Sequence, residues 1–181
     1  LLLSAPSVRY SITLETGETI SVESPSLYPE PSTIARTEEP YIKASIIAPK
    51  EYVGAVMELC NERRGRFDNM EYLSEERVHM VFEQPLAEIV LDFYDRLKSI
   101  SRGYASLDYH VTGYWESPLV KLDILVNAEP VDALSIIVHR DRAYDRGRML
   151  ASKMRELIPR QMFEVAIQAA IGSKVIARET I

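Results

Sequence analysis

Arg142, Arg146 and Lys153 recur at spacings of four and seven, which on an α-helix lines up three cations in one stripe. Arg140, Arg148, Arg155, Arg160, Lys174 and Arg178 accompany them, so residues 140–178 hold nine Lys/Arg against four Asp/Glu. Such a cluster neutralises a polyanion: its cations displace the counterions condensed on a phosphate backbone. Arg140, Arg142 and Arg146 crowd the start of the expected helix, where each positive charge opposes the macrodipole by ~0.3–1 kcal/mol. Asp141 and Asp145 offset only part of that. An arrangement unfavourable to the free protein points to an anionic partner, most simply nucleic-acid phosphate. A solvated charged face is the plain alternative. The candidate RNA-binding residues are therefore Arg140, Arg142, Arg146, Arg148, Lys153, Arg160, Lys174 and Arg178.

Other chemistries find less support. None of the seven glycines stands in the Gly-x-x-x-x-Gly-Lys-Ser/Thr spacing that surrounds nucleotide phosphates with backbone amides. His139-Arg140-Asp141 matches the opening of a kinase catalytic loop, but no Gly-rich loop and no Asp-Phe-Gly accompany it. It reads as a strand-to-helix junction with Asp141 as N-cap. His79, His110 and His139 fall on separate strands with no metal-ligand spacing, and no Gly-x-Ser-x-Gly elbow supports a hydrolytic triad. No catalytic or metal-binding residue is assigned. Arg63-Arg64 and Arg66 read as a dipole-matched helix end. Tyr104, Tyr109, Tyr114 and Trp115 could stack RNA bases, but the RNP signature is missing, and Tyr109 is expected in the core.

The elements that must carry the cationic stripe follow from patterning. The chain has 181 residues, 46% hydrophobic and 27% charged, with a formal charge of −6. That excludes a mostly disordered chain. No apolar run approaches the ~20 residues that cross a bilayer, so membrane insertion is not expected. The single cysteine, Cys60, excludes an internal disulfide framework. Charge is uneven: residues 1–139 carry 12 Lys/Arg against 22 Asp/Glu. The chain opens Leu1-Leu2-Leu3 without Met and reaches Ile181 inside an apparent strand, as expected of a piece of a longer protein.

Val8, Tyr10, Ile12 and Leu14, then Ile20 and Val22 after Gly17, alternate as a β-hairpin. Pro25, Pro29, Pro31 and Pro40 mark an extended linker. Ile42, Ala44, Ile46 and Ala48 make a strand. Val53, Val56, Met57 and Cys60 make one helix face, which Gly65 can end. Strands follow near 66–72 and 77–83. A second helix opened by Pro85 carries Leu86, Ile89, Val90, Phe93 and Leu97, and a strand with Ala105, Leu107, Tyr109 and Val111 completes a β-α-β-β-α-β order. Beyond it, Val120–Val126 and Leu134–Val138 read as strands. A helix at 141–158 buries Ala143, Gly147, Leu150, Ala151, Met154 and Leu157. Phe163, Val165, Ile167 and Ala169 form a strand that turns at Gly172-Ser173. The expected class is α+β: a ferredoxin-like βαββαβ domain followed by a small α+β domain, with an N-terminal β-hairpin remnant.

The segments EEPYIKASIIAPKEYVGAVMELCNERRG (38–65) and QPLAEIVLDFYDRLKSISRGYASLDYHVTGY (84–114) resemble domain V of the EF-G-like translation GTPases. VHRDRAYDRGRMLASKMRELIPRQMFEVAIQAAIGSKVIARETI (138–181) resembles the C-terminal domain peculiar to the LepA (elongation factor 4) family, and SAPSVRYSITLETGE (4–18) resembles the end of its domain III. The resemblance implies the end of domain III plus a Pro-rich linker over 1–33, domain V over 34–117, and a truncated C-terminal domain over 118–181. It also implies a parent that is a ribosome-dependent GTPase of the cytoplasm, peripheral at the inner membrane face. That parent uses GTP and Mg and promotes back-translocation of tRNAs in support of translation fidelity. The implied partners are the ribosome and tRNA, with no oligomer and no cofactor in this piece. A protein-interaction module is the alternative, and an acylphosphatase-like enzyme on the same fold a weaker one, since Ala48-Pro49-Lys50-Glu51 puts an acid where an anion would sit.

Overall fold

A computed structural model describes residues 8–90, 92–160 and 163–181. The opening Leu1-Leu2-Leu3 lies outside the described residues. The described residues form two compact units: 8–10 with 39–115, and 11–38 with 116–181. The fold is α+β.

Strands β1 (Tyr10–Leu14) and β2 (Thr19–Val22) form the expected hairpin, turning at Gly17 with φ +89°. The Pro-rich stretch is more ordered than a linker. Pro25 and Pro31 each open a short 3₁₀ turn, because a fixed φ and a missing N–H suit the first helical position. Strand β3 (Ile34–Pro49) then begins well before Ile42. Pro40 is tolerated within it because it follows Glu38, the last residue paired with β1, and precedes Tyr41, the first paired with the strand at Arg77–Pro85.

In the 39–115 unit, β3 leads through a 3₁₀ turn into α1 (Val53–Glu62), then β4 (Arg66–Tyr72), β5 (Arg77–Pro85), α2 (Leu86–Ile89), α3 (Phe93–Ile100) and β6 (Ser106–Glu116). The sheet order β4-β5-β3-β6 places the four strands second, third, first and fourth, the ferredoxin-like arrangement. Ile42, Ala44, Ile46 and Ala48 meet Val78, Met80 and Phe82 on one face, covered by Val56, Leu59, Cys60, Phe93 and Leu97. Two expectations change. The second helix is two, with Asp92 at the N-cap position of α3; the apolar stripe keeps helical spacing through the break, so periodicity could not reveal it. Tyr109 is 37% exposed rather than core, because β6 is an edge strand paired only with β3.

In the other unit, β7 (Leu119–Val126) pairs with β8 (Glu129–Pro130) through a turn at Asn127 and Ala128, with β9 (Ile136–His139), and with β10 (Ala166–Ile171), which pairs with β11 (Lys174–Thr180). Helix α4 (Arg140–Leu157) packs on β7, β10 and β11. Its buried stripe is Ala143, Gly147 and Ala151, over Leu122, Ile124, Ile167 and Ala169. Leu157 is 68% exposed and Phe163 67% exposed, contrary to expectation. Ile158 packs on the core instead, because the chain is already extended there, at φ −82° and ψ 123°. Among the described residues no helix is long and apolar enough to cross a membrane.

Candidate nucleic-acid interface

Helix α4 positions most of the candidate cations. Its N-cap is His139, not Asp141: the His139 Nδ1 accepts the Asp141 backbone N–H at 3.1 Å. Asp141 lies inside the first turn, where its charge still suits the dipole. The sequence could not separate the two, because both side chains carry an acceptor next to the same turn.

At about 100° per residue, Arg142, Arg146 and Lys153 fall within about 40° of one another. Arg142 and Arg146 are half-buried and Lys153 is exposed, and both arginines already engage in interactions within the molecule. Met149 and Leu157, 54% and 68% exposed, share their flank. Arg148 projects from the opposite flank, about 120–160° away. Arg155 is on that side too, where it donates to Glu179 at 3.0 Å.

The remaining candidates lie apart. Arg140, in the first helical position, donates its backbone N–H to the Pro118 carbonyl at 2.8 Å. Its side chain lines a cleft of about 740 Å³ with Tyr28, Pro29, Leu119, Lys121 and Asp123. The Tyr28 hydroxyl donates to the Leu119 carbonyl at 3.1 Å. Burial raises the Tyr28 pKa, and the Arg140 charge lowers it by less. Arg160 and Lys174 are exposed. Arg178 pairs in register with Gln168, next to the Ala169–Ala177 pair. Ala169 faces α4, since a Cβ on Gly147 would meet its Cβ at 2.8 Å, so side-chain alternation sends Arg178 to the other face of the sheet. The eight candidates thus do not form one surface: Arg142, Arg146 and Lys153 come together, and the others are distributed around the unit.

Arg63, Arg64 and Arg66 are not one dipole-matched end either. Arg63 pairs with Asp92 at 2.7 Å. Arg64 leaves the helix at φ +57° and forms a bidentate pair with the buried Glu39, at 2.6 and 3.1 Å, while its Nε reaches Glu88 at 3.1 Å. Burial works against the Arg64 charge, but the hydrogen bonds and charges of Glu39 and Glu88 outweigh it and raise its pKa. Arg66 begins β4 and lies over the Trp115 ring, 5.1 Å from its centroid. Trp115 in turn stacks on Tyr41. Sequence patterning missed this group because its members are far apart in the chain. Among the described residues no group of three or more His, Cys, Asp or Glu is placed to hold a metal ion.

Comparison with known proteins gives a consistent picture. Residues 36–125 match the family model "Elongation factor G C-terminus" and residues 126–181 match "GTP-binding protein LepA C-terminus". Over all 181 residues the chain is 59% identical to elongation factor 4 of Mycoplasma mobile, 60% to that of Bacillus cytotoxicus and 56% to that of Shouchella clausii. The chain spans 30% of the length of these relatives. A crystal structure of a Thermus thermophilus protein aligns over 46% of this chain and 12% of its own, at 29% identity and a TM-score of 0.43. Two C-terminal family models in tandem, on a chain nearly three-fifths identical throughout to its relatives, show that it belongs to the elongation factor 4 (LepA) family and corresponds to the C-terminal region of its members.

Proposed function

We propose that this chain is the ribosome- and tRNA-binding portion of a translation GTPase that moves tRNAs backwards on the ribosome and so supports fidelity. The observation that carries the reading is the tandem match, in which an elongation factor G C-terminus is followed directly by the LepA C-terminus. In this reading residues 34–117 act as domain V and position the C-terminal domain over 118–181. The parent would act in the cytoplasm or at the inner membrane face. GTP and Mg belong to the part of the parent outside this chain: no glycine here stands in a phosphate-loop spacing, so no step of nucleotide hydrolysis is assigned to its residues.

The binding mechanism is electrostatic. The Arg142, Arg146 and Lys153 flank meets phosphate backbone, which sets position without reading sequence. Lys153 alone gives a slope of about −1 in log K against log salt, and exchange of the contacts that Arg142 and Arg146 make within the molecule for phosphate extends it to about −3. Filter binding of tRNA and of ribosomes over a salt series tests this. Reversal of all three charges to Glu is expected to lower affinity at least about tenfold at low salt, with the melting temperature followed in parallel. A flat salt response of the unaltered chain would sink the reading.

Exposed Met149 and Leu157 beside those cations favour a second reading, a protein-interaction face. Its binding would persist at high salt and be lost on Met149→Glu.

A further inference from the structure

Strand β4 (Arg66–Tyr72) ends the sheet of the 39–115 unit: it pairs with β5 and, among the described residues, with nothing on its outer side. One row of its N–H and C=O groups is therefore open, the template on which a further strand adds. Residues opposite one another in an antiparallel pair share a face. Phe67, Met70 and Tyr72 stand across from Phe82, Met80 and Val78, so they continue the core face outward. Those partners are buried, but Phe67 is 50% and Tyr72 62% exposed, because the helices cover that face over β3 and β5 and leave it open over β4. Between β4 and α1 runs a groove of about 320 Å³, lined by Met57, Glu58, Asn61, Gly65, Phe67 and Phe82.

Gly54 shares the groove side of α1 with Glu58 and Asn61, at spacings of four and three. A Cβ on Gly54 would meet nothing within 4 Å, and its φ is not positive. The fold therefore does not require a glycine there, and glycine is the poorest helix former after proline. What the bare backbone offers is close approach by another chain. Charge points the same way. Glu58 in the groove, Glu71 on β4 and Glu75 in the β4–β5 turn are exposed and make no ion pair among the described residues. Nearby cations are committed: Lys43 to Asp68, Lys50 to Glu76, Arg63 to Asp92, and Arg64 to Glu39 and Glu88. Arg66 and Arg77 stand across from Glu83 and Pro49, so they alternate to the face opposite the groove.

We propose that the β4 edge and the α1 groove form a docking site for an extended, basic segment of a partner protein, which adds to the sheet as a strand. Main-chain hydrogen bonds along β4 hold it, and its alternate side chains give specificity. Apolar residues of the segment lie on Phe67, Met70 and Tyr72. Basic residues on its other face meet Glu71, and one at the groove reaches Glu58. The same acids disfavour a second copy of this chain, which would bring like charges together, and they repel RNA phosphate. The site takes a protein and is independent of the RNA-binding reading above.

A blocked heptapeptide of alternating lysine and valine serves as the probe, with a glutamate–valine heptapeptide as its control. In two-dimensional ¹⁵N NMR of the whole chain, the lysine peptide is expected to shift the amides of β4 and of residues 54–61 and to slow hydrogen exchange along the outer edge of β4. The glutamate peptide is expected to shift neither. Glu58→Lys is expected to weaken binding of the lysine peptide about fivefold, as one exposed ion pair turns into a repulsion. Gly54→Leu fills the open space beside the groove. It is expected to weaken binding while the melting temperature stays equal or rises, which a merely structural role for Gly54 would not give. Unshifted β4 amides, equal binding of the glutamate peptide, or unchanged affinity in both variants overturns the proposal. So does a dimer of the unaltered chain that protects β4 without peptide, or an oligouridylate that shifts the same amides as strongly as the lysine peptide.

Discussion

At the residue scale, two buried groups make opposite demands on pH and charge. The Cys60 thiol is fully buried, which pushes its pKa from 9.0 up to about 12, with the Gln84 hydrogen bond pulling back weakly. Below pH 9 the thiol is protonated both folded and unfolded, and its contribution to stability is complete. Between pH 9 and 12 the unfolded thiol ionises and the folded one does not, so that contribution is lost as pH rises. Burial likewise raises the Tyr28 and Tyr41 phenols, and the Glu39 charge adds to the shift at Tyr41. Urea midpoints are therefore expected to fall from about pH 9 upward, and Cys60→Ala to flatten part of that fall. Arg64 presents the other case. Glu39 and Glu88 are 1% and 5% exposed, so Arg64→Met leaves two carboxylates without their cation. A loss of about 3–5 kcal/mol in urea unfolding is expected. The burial of Cys60 was legible, since it falls on the apolar face of α1, but the Arg64 group was not. Glu39, Arg64 and Glu88 are some 25 residues apart, and the adjacent Arg63-Arg64 pair resembled an ordinary helix end.

At the element scale, strands and helices were largely legible, because period-two and helical spacing directly report which face is buried. The β-α-β-β-α-β order and the α4 stripe of Ala143, Gly147 and Ala151 were both readable. What stayed hidden was set by the partner element. Tyr109 and Val111 alternate like core residues, but they lie on an edge strand and are 37% and 55% exposed. Two glycines show the same dependence. Gly65 was read as a helix terminator, yet Arg64 takes the left-handed conformation. Gly65 is needed for closeness: a Cβ there would lie 2.6 Å from the Cys60 carbonyl oxygen. Gly147 lies mid-helix, where Ala is better by about 1 kcal/mol on propensity. Its added Cβ would meet the Ala169 Cβ at 2.8 Å and Ile176 at 3.3 Å. Gly147→Ala is thus expected to destabilise by about 1–3 kcal/mol despite the propensity gain, as a lowered melting temperature.

At the scale of the whole molecule, charge is segregated along the chain: nine Lys/Arg against four Asp/Glu over 140–178, and a net −6 overall. The segregation was readable, but the geometry was not. Register sends Arg178 to the sheet face opposite α4, and helical phase separates Arg148 from Arg142, Arg146 and Lys153. A single reversal at Arg178 or Arg148 is accordingly expected to change tRNA affinity much less than one at Lys153, read in the same filter-binding titration. The buried cysteine has one more consequence, a practical one. The only native thiol is sealed and held protonated, so maleimide would ignore it in the folded chain. A cysteine engineered at the exposed Ser173 would then be the sole attachment point for a cleavage reagent or photocrosslinker, and the chain could be footprinted on its target without first deleting a native sulfhydryl.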